Sequence, residues 1–320
     1  MKYIISFFVF SLVLISCENM QTVIDLEVPE HDPVLVLNGL LDTDTNVQLV
    51  VSHSVGAFSN NTPSFINNAN VLLYKNGQFI DSLFLDDENL FYVSFIDNDN
   101  WNATSLPMYY YKSNYIPEKD AFYRLDVSHS NYPSISAETY IPGDIVLYNI
   151  DVDTTSIEDK IGLTFSFDDN VNQQNYYRLK VFSSCSKEWE DDYGYVQEYG
   201  YRGDAYMLSN DPSFPGGVPW DGYTFEGSEV VFSDALFNGQ QKTITLDVES
   251  EFKYSQCDTV IIEFSTFSDD TYSYYNSLGE HIDKGELGIF GGEVIPVYSN
   301  VENGLGVLIS TNSQDIYLKP

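Results

Sequence analysis

Cys17 is the residue whose surroundings specify chemistry most sharply. It follows Leu14, Ile15 and Ser16, and it closes an apolar run from Ile4 that only Ser6 and Ser11 interrupt. Lys2 places one positive charge ahead of that run. A basic start, an apolar stretch and a small residue before a cut are the layout of a secretory signal, and the stretch is too short to span a bilayer. Leu-Ile-Ser-Cys is similar to the bacterial lipobox, where the thiol is lipidated, the chain is cut before it and the new amino terminus is acylated. Residues 1–16 are therefore read as the signal peptide and 17–32 as an acylated start and tether. A single acyl chain anchors weakly, whereas three hold firmly. The competing reading is an ordinary secretion signal that happens to lie near a cysteine.

Carboxylate clusters offer a second chemistry. Asp86-Asp87-Glu88, Asp97-Asn98-Asp99-Asn100, Asp168-Asp169-Asn170 and Glu190-Asp191-Asp192 are rich in the hard oxygen ligands that calcium takes. The second begins like an EF-hand loop, but Trp101 stands fifth and Asn102 sixth, where that loop needs glycine. Asp97 and Asp99 remain candidate ligands of an irregular calcium site. Solvated turns account for the same residues, since Asp and Asn favour turns through their own hydrogen bonds. Beyond calcium and the covalent lipid, no cofactor is expected.

Reactive constellations are otherwise missing from the pattern. The four histidines, His31, His53, His129 and His281, form neither a His-Glu-x-x-His motif nor a zinc-like spacing with cysteine. No Gly-x-Ser-x-Gly elbow occurs. His53 and His129 fall on strand-like sequence and read as hydrogen-bonded imidazoles. The expectation is a protein that is not an enzyme; a hydrolase using paired carboxylates is the weakest rival.

Aromatic residues supply the remaining candidates. Trp189, Tyr193, Tyr195, Tyr199 and Tyr201 lie in one Tyr-rich stretch, and Trp220 and Tyr223 in another with Pro and Gly. Tyr109-Tyr110-Tyr111 forms a third patch. Such rings can stack on sugars or anchor a protein partner at small entropic cost. The even spacing from Tyr193 to Tyr201 fits cross-strand pairing equally well. Cys185 and Cys257 are the even pair left after Cys17, able to form a disulfide in an exported protein or to stay as separate buried thiols.

These residues need a frame, and its pattern is β. Val34–Asn38, Val47–His53, Ala69–Tyr74, Phe79–Phe84, Leu90–Phe95, Phe122–Ser128 and Ala137–Ile141 are short apolar or alternating runs between turn signals. Asn76-Gly77 between two of them is a strong hairpin signal. About seven strands without a helical period describe a β-sandwich over 33–143, ended at Pro142-Gly143. The pattern restarts over 144–320, with a Tyr-rich insertion near 184–224 and one short helix from Asp269 to a stop at Gly279. The fold class is thus all-β, two consecutive sandwiches.

Composition narrows the partners. The formal charge is −34, and loss of Lys2 with the signal makes it −34 − 1, about −35. Nucleic acid and anionic lipid are excluded as bulk electrostatic partners. Hydrophobic residues at 43% and aromatics at 15% exclude a disordered acidic chain.

Several stretches together resemble the lipoprotein family of Bacteroidota catalogued as domain-of-unknown-function family 4249. They are the lipobox, Ala69-Asn70-Val71 before the hairpin, Thr139-Tyr140-Ile141-Pro142, and Phe167-Asp168-Asp169 with Asn175-Tyr176-Tyr177. Ser209-Asn210-Asp211-Pro212, the run from Phe232 to Gly239, and the run from Ser299 to Gly306 complete them. The resemblance implies an Ig-like or transthyretin-like first sandwich, no catalytic residues, and members encoded beside TonB-dependent receptors. It implies a surface or periplasmic accessory of an outer-membrane receptor or other barrel complex, lipid-anchored in the outer membrane, with the cell surface as the expected face. A surface lipoprotein that captures glycans or peptides on its aromatic loops is the alternative.

Metabolic labelling with palmitate tests the anchor. The natural chain should incorporate label and Cys17→Ala should lose it entirely; equal labelling of the two would dismiss the lipobox reading.

Overall fold

The structure is a computed structural model that describes residues 32–56, 64–97, 102–154, 160–171, 173–190, 195–216, 222–249, 256–285 and 295–319. The first half contributes β1 (Leu35–Asp42), β2 (Gln48–His53), β3 (Asn70–Lys75), β4 (Gln78–Asp97), β5 (Asn102–Lys112), β6 (Ala121–His129) and β7 (Tyr132–Ile141). Then come β8 (Tyr148–Asp153), β9 (Ile161–Asp168), β10 (Tyr176–Glu190), β11 (Val196–Asp204), β12 (Tyr206–Ser209), β13 (Phe225–Gly227), β14 (Glu229–Ser233) and β15 (Gln241–Glu249). The chain closes with β16 (Gln256–Phe267), helix α1 (Asp269–Gly285), β17 (Val301–Glu302) and β18 (Leu305–Leu318). The protein is all-β, with sandwich packing and, among the described residues, this one helix.

Alternation explains the strands. In β6 Ala121, Tyr123, Leu125 and Val127 are buried, while Phe122 and Arg124 face out. In β9 Ile161, Leu163, Phe165 and Phe167 are buried in the same way. Asn76 and Gly77 take φ of 50° and 77° between β3 and β4, the left-handed pair a two-residue hairpin requires. The inward residues collect in two cores. One draws on 35–141 with Val301 and Leu308; the other draws on 161–264, with Ile316 and Leu318 packed against it.

A 13-stranded sheet runs β11-β10-β16-β18-β1-β2-β5-β4-β3-β6-β7-β17, with β14 on β10, and a five-stranded sheet runs β13-β12-β15-β9-β8. The sequence suggests separate strands at Phe79–Phe84 and Leu90–Phe95, but β4 is one strand with an irregularity between Asp86 and Phe91. Its first part pairs with β3 and its remainder with β5. Tyr109-Tyr110-Tyr111, read as a loop patch, lies within β5. Tyr111 is buried there, donating to the Ile66 carbonyl at 2.8 Å and accepting from the Ala69 N–H at 2.8 Å.

Strand β18 unites the sheet. It lies parallel to β1 from Val36↔Leu305 to Asp42↔Thr311 and antiparallel to β16 from Phe267↔Thr311 to Val260↔Leu318. Gly306 makes the parallel approach possible. Its φ is 100°, and a Cβ there would stand 2.0 Å from the Leu37 carbonyl oxygen. Gly304-Leu305-Gly306 is thus a turn only at its start, and its last two residues begin β18.

Helix α1 opens on Ser268, whose hydroxyl accepts from the Thr271 N–H at 3.1 Å as an N-cap. Gly279 does not end it. A glycine costs about 1 kcal/mol in a helix interior without breaking it, and docking holds the later turns. The Ser277 hydroxyl accepts from the Tyr298 N–H at 2.8 Å, and His281 Nδ1 meets the Ile295 carbonyl at 2.6 Å. No described helix is long and apolar enough to cross a membrane.

Two glycine substitutions should therefore act in opposite directions in urea unfolding. Gly306→Ala should cost more than about 3 kcal/mol through backbone collision and strain. Gly279→Ala, with nothing within 4 Å of its added methyl, should stabilise by roughly 0.5–1 kcal/mol. A harmless Gly306→Ala would refute the assigned β1–β18 register.

Candidate functional site

The residues singled out from sequence are dispersed. Cys17, Asp99, Tyr193 and Trp220 lie outside the described residues, and so do the side chains of Asp97 and Trp189. Tyr199 and Tyr201 sit on β11 rather than in a loop, with ring centroids 6.1 Å apart. Tyr195 immediately precedes that strand and is exposed. Tyr201 pairs opposite Cys185, which a disulfide joins to Cys257 on β16. Of the two outcomes open for these cysteines, the structure has the bridge. It closes the last part of the β10–β16 ladder, beyond which β10 continues with β11 alone.

Tyr223 belongs to an open groove of about 320 Å³ on the five-stranded sheet. Thr243, Thr245 and Asp247 of β15 form its floor, and Asn210 and Asp211 form one wall. The Tyr223 hydroxyl donates to Asp247, and that bond, with burial, raises the phenol so that it stays protonated. Lys160 Nζ stands 4.8 Å from the centre of the Tyr223 ring. Asp211 accepts from Lys242 Nζ at 2.6 Å and from the Ser213 N–H and hydroxyl at 2.9 and 2.6 Å. The Asn210 side-chain oxygen accepts from the Thr224 N–H at 2.9 Å. Outward hydroxyls and carboxylates of this kind can hydrogen-bond a sugar or a peptide backbone.

A second cleft, of about 530 Å³, opens at the start of α1. Phe122 and Tyr140 line one side with ring centroids 4.9 Å apart, and Glu138, Gln173, Gln174, Asp269 and Asp270 supply polar groups. The carboxylates at the helix start are already engaged. Asp269 accepts from the Tyr176 hydroxyl at 2.7 Å, and Asp270 from Tyr298 at 2.7 Å and Thr139 at 3.0 Å. Burial, then these carboxylates, raise both phenols well above their usual range, so each acts as a neutral donor. Sequence reasoning missed this cleft, although Thr139 to Pro142 belongs to a motif already noted.

The acidic loops do not converge. Asp86 lies within β4, taking Lys112 at 2.5 Å and Asn89 at 2.9 and 3.0 Å, which lowers its pKa. Asp168 accepts from the Tyr148 hydroxyl at 2.7 Å, and Asp169 from Tyr177 and the Gly239 N–H. Among the described residues, no group of three or more His, Cys, Asp or Glu could hold a metal ion.

His53 makes a contact that resembles a nucleophile and its base. Its Nε2 stands 2.8 Å from the Ser64 hydroxyl and its Nδ1 3.0 Å from the Ser54 carbonyl. A carbonyl only accepts, so Nδ1 carries the proton and Nε2 accepts from Ser64 in the neutral ring. Neither residue lines the two clefts. The bond accompanies the backbone pairing of Ser64–Ile66 with β2, including the His53 N–H to the Ser64 carbonyl at 3.4 Å. His129 likewise binds the Asn68 side-chain oxygen at 2.9 Å.

Comparison with protein families finds one match, over residues 21–316, to a family described as a domain of unknown function, DUF4249. Comparison with the curated proteins finds no match.

The groove contains a testable ion pair. The Lys242 and Asp211 side chains are 13% and 8% exposed, whereas Lys75 pairs with a Glu118 that is 65% exposed. In urea unfolding at pH 7, Lys242→Met should cost about 2–4 kcal/mol by leaving a buried carboxylate without its cation. Lys75→Met should cost less than about 1 kcal/mol. Equal losses would contradict the burial of the Lys242 pair.

Proposed function

From the premise that this chain belongs to the DUF4249 family, we propose that it is a non-enzymatic lipoprotein of the outer membrane, acting as an accessory subunit of a barrel receptor complex. Leu14-Ile15-Ser16-Cys17 at the end of the apolar run carries this reading. A triacylated Cys17 would hold the β body at the membrane without a spanning helix. The high negative charge opposes bulk adhesion to anionic headgroups, leaving the lipid as the anchor and proteins as partners. The family resemblance points to TonB-dependent receptors as those partners.

The non-enzymatic part of the reading draws support from how the clefts use their acids. Asp211, Asp247, Asp269 and Asp270 each accept a hydrogen bond from a lysine, tyrosine or threonine side chain. General acid–base work needs a group poised to exchange its proton with substrate. These carboxylates instead brace neighbouring side chains, of which Tyr223 and Thr139 line the same clefts.

Affinity purification of the tagged, acylated protein from its own membranes in mild detergent should recover an outer-membrane barrel in near-stoichiometric amount. Recovery of the lipoprotein alone, under conditions that preserve other barrel complexes, would sink the proposal.

A further inference from the structure

The half of β4 that pairs with β5 is a two-stranded ribbon. From Phe84 onward β4 has β5 as its partner, and below Tyr111 β5 has only β4; no third strand joins them among the described residues. A two-stranded ribbon is marginal in water unless a face packs on something else. This one is braced internally by Phe91 stacked on Tyr110 at 4.5 Å, by Ser94 and Ser105 at 3.0 Å, and by Lys112 on Asp86 at its base. It nevertheless presents Phe84, Leu90 and Tyr92 to solvent at 51%, 40% and 63% exposure. Pro107, opposite Tyr92, is exposed on the same face as that ring, whereas Phe84, opposite Lys112, lies on the other face with Tyr110 and Phe91.

Strand register fixes which way the ribbon points. Leu49 pairs with Gly39 and with Tyr111, while His53 pairs with Leu35 at the start of β1. Four residues separate Leu49 from His53, so the level of Leu35 on β5 is 111 − 4, Pro107. Leu106 to Asn102 continue past that level by five residues, about 16 Å at 3.3 Å per residue. The ribbon therefore overhangs the end at which the chain enters β1, and Cys17 precedes Leu35 by 35 − 17, eighteen residues. The β10–β11 ribbon points the other way. Asp42, Thr311, Phe267 and Tyr176 share one level across four strands, and β10 runs from there away from the Leu35 end.

Charge selects the occupant. Between Asn76 and Tyr111 there are six acids, Asp81, Asp86, Asp87, Glu88, Asp97 and Asp99, and no Lys or Arg. Apolar groups among acids, with the one cation of the ribbon, Lys112, at its base and already paired to Asp86, suit a protein surface with an apolar strip rimmed by lysine or arginine. They suit an anionic lipid surface poorly, and they oppose a second copy of the same ribbon by like charge. We propose that the β4–β5 ribbon, through Leu90, Tyr92 and Pro107, docks this lipoprotein on a protein seated in the same membrane and presenting such a strip. The assignment rests on the accessory reading above and names its surface.

The test uses the full acylated protein in its own cells, with a photoreactive phenylalanine analogue at Tyr92 or at Tyr199. Irradiation should join Tyr92, and not Tyr199, to an integral outer-membrane protein. Leu90→Asp with Tyr92→Asp should lower co-purification of that same protein at least about tenfold. Its thermal unfolding should stay close to that of the natural chain, since both side chains are exposed. Adducts from Tyr199 alone would overturn the ribbon while leaving the accessory reading standing. Adducts of Tyr92 with lipid alone would replace the protein partner by the bilayer. No protein adduct from either position would overturn the ribbon and the accessory reading together.

Discussion

The structure depends on one pairing, the insertion of β18 between β1 and β16. Other pairings in the large sheet are also long-range, β7 with β17 among them, but β1 and β18 meet across almost the whole chain, Val36 beside Leu305. The strand serves both cores, with Leu308 in one and Ile316 and Leu318 packed on the other. A parallel pair needs a long connection and wins nothing until that loop closes. Much of the chain must therefore be ordered before β18 is stabilised. Gly306 stands where this closure is tightest, which gives a physical reason for the Gly-Leu-Gly spelling.

Polar corners finish what the strand begins. Asn300 binds both the carbonyl and the N–H of Leu308, and its amide reaches the Glu138 carbonyl. Ser310 donates to the Tyr140 carbonyl, and Asn312 to the Pro142 carbonyl. The Thr139-to-Pro142 and Ser299-to-Gly306 motifs thus meet around β18. A second corner joins Asp169, Tyr177, Asn175, Asp234 and Gly239, again drawn from separate motif pieces. Burial and its neighbour Asp169 raise the Asp234 carboxyl, even though it accepts from the Asn175 N–H. Buried polar groups must be satisfied, and these contacts satisfy them in a specific geometry. Motifs without catalytic pattern thereby acquire a structural meaning.

Much of the β character was legible because burial on one face imposes a period of two, as β6 and β9 show. Asn76-Gly77 was equally readable, since its turn is local. The joining of β18 to β1 was not, because nothing in either strand names a partner over 250 residues away. Tyr109-Tyr110-Tyr111 showed only as an aromatic patch, since three successive rings carry no alternation; only Tyr111 is buried, and Tyr110 stacks on Phe91 from the adjoining strand. The clefts were hidden for the same reason. Each assembles residues from distant elements, and Asp269 or Asp247 alone carries no sign of the tyrosine that binds it. Cys185 and Cys257 were a possible pair by count, but only the β10–β16 register brings them opposite.

The same register gives the two aromatic ribbons different mechanical settings. The β10–β11 ribbon leaves the sheet beside a covalent bond, and Arg202 of β11 binds Glu263 and Asp315 and lies 3.7 Å over the Phe182 ring. A disulfide restricts the local opening of the strands that it joins. The β4–β5 ribbon has no such clamp among the described residues, and Lys112 with Asp86 is the ion pair at its base. Its edges and exposed rings make it the part that gains most from a neighbour, since an unpaired edge is a template for association. Leu35, where the chain enters β1, lies at the end this ribbon overhangs. Covalent stiffness thus stands at the far end of the sheet and an unclamped edge at the near one.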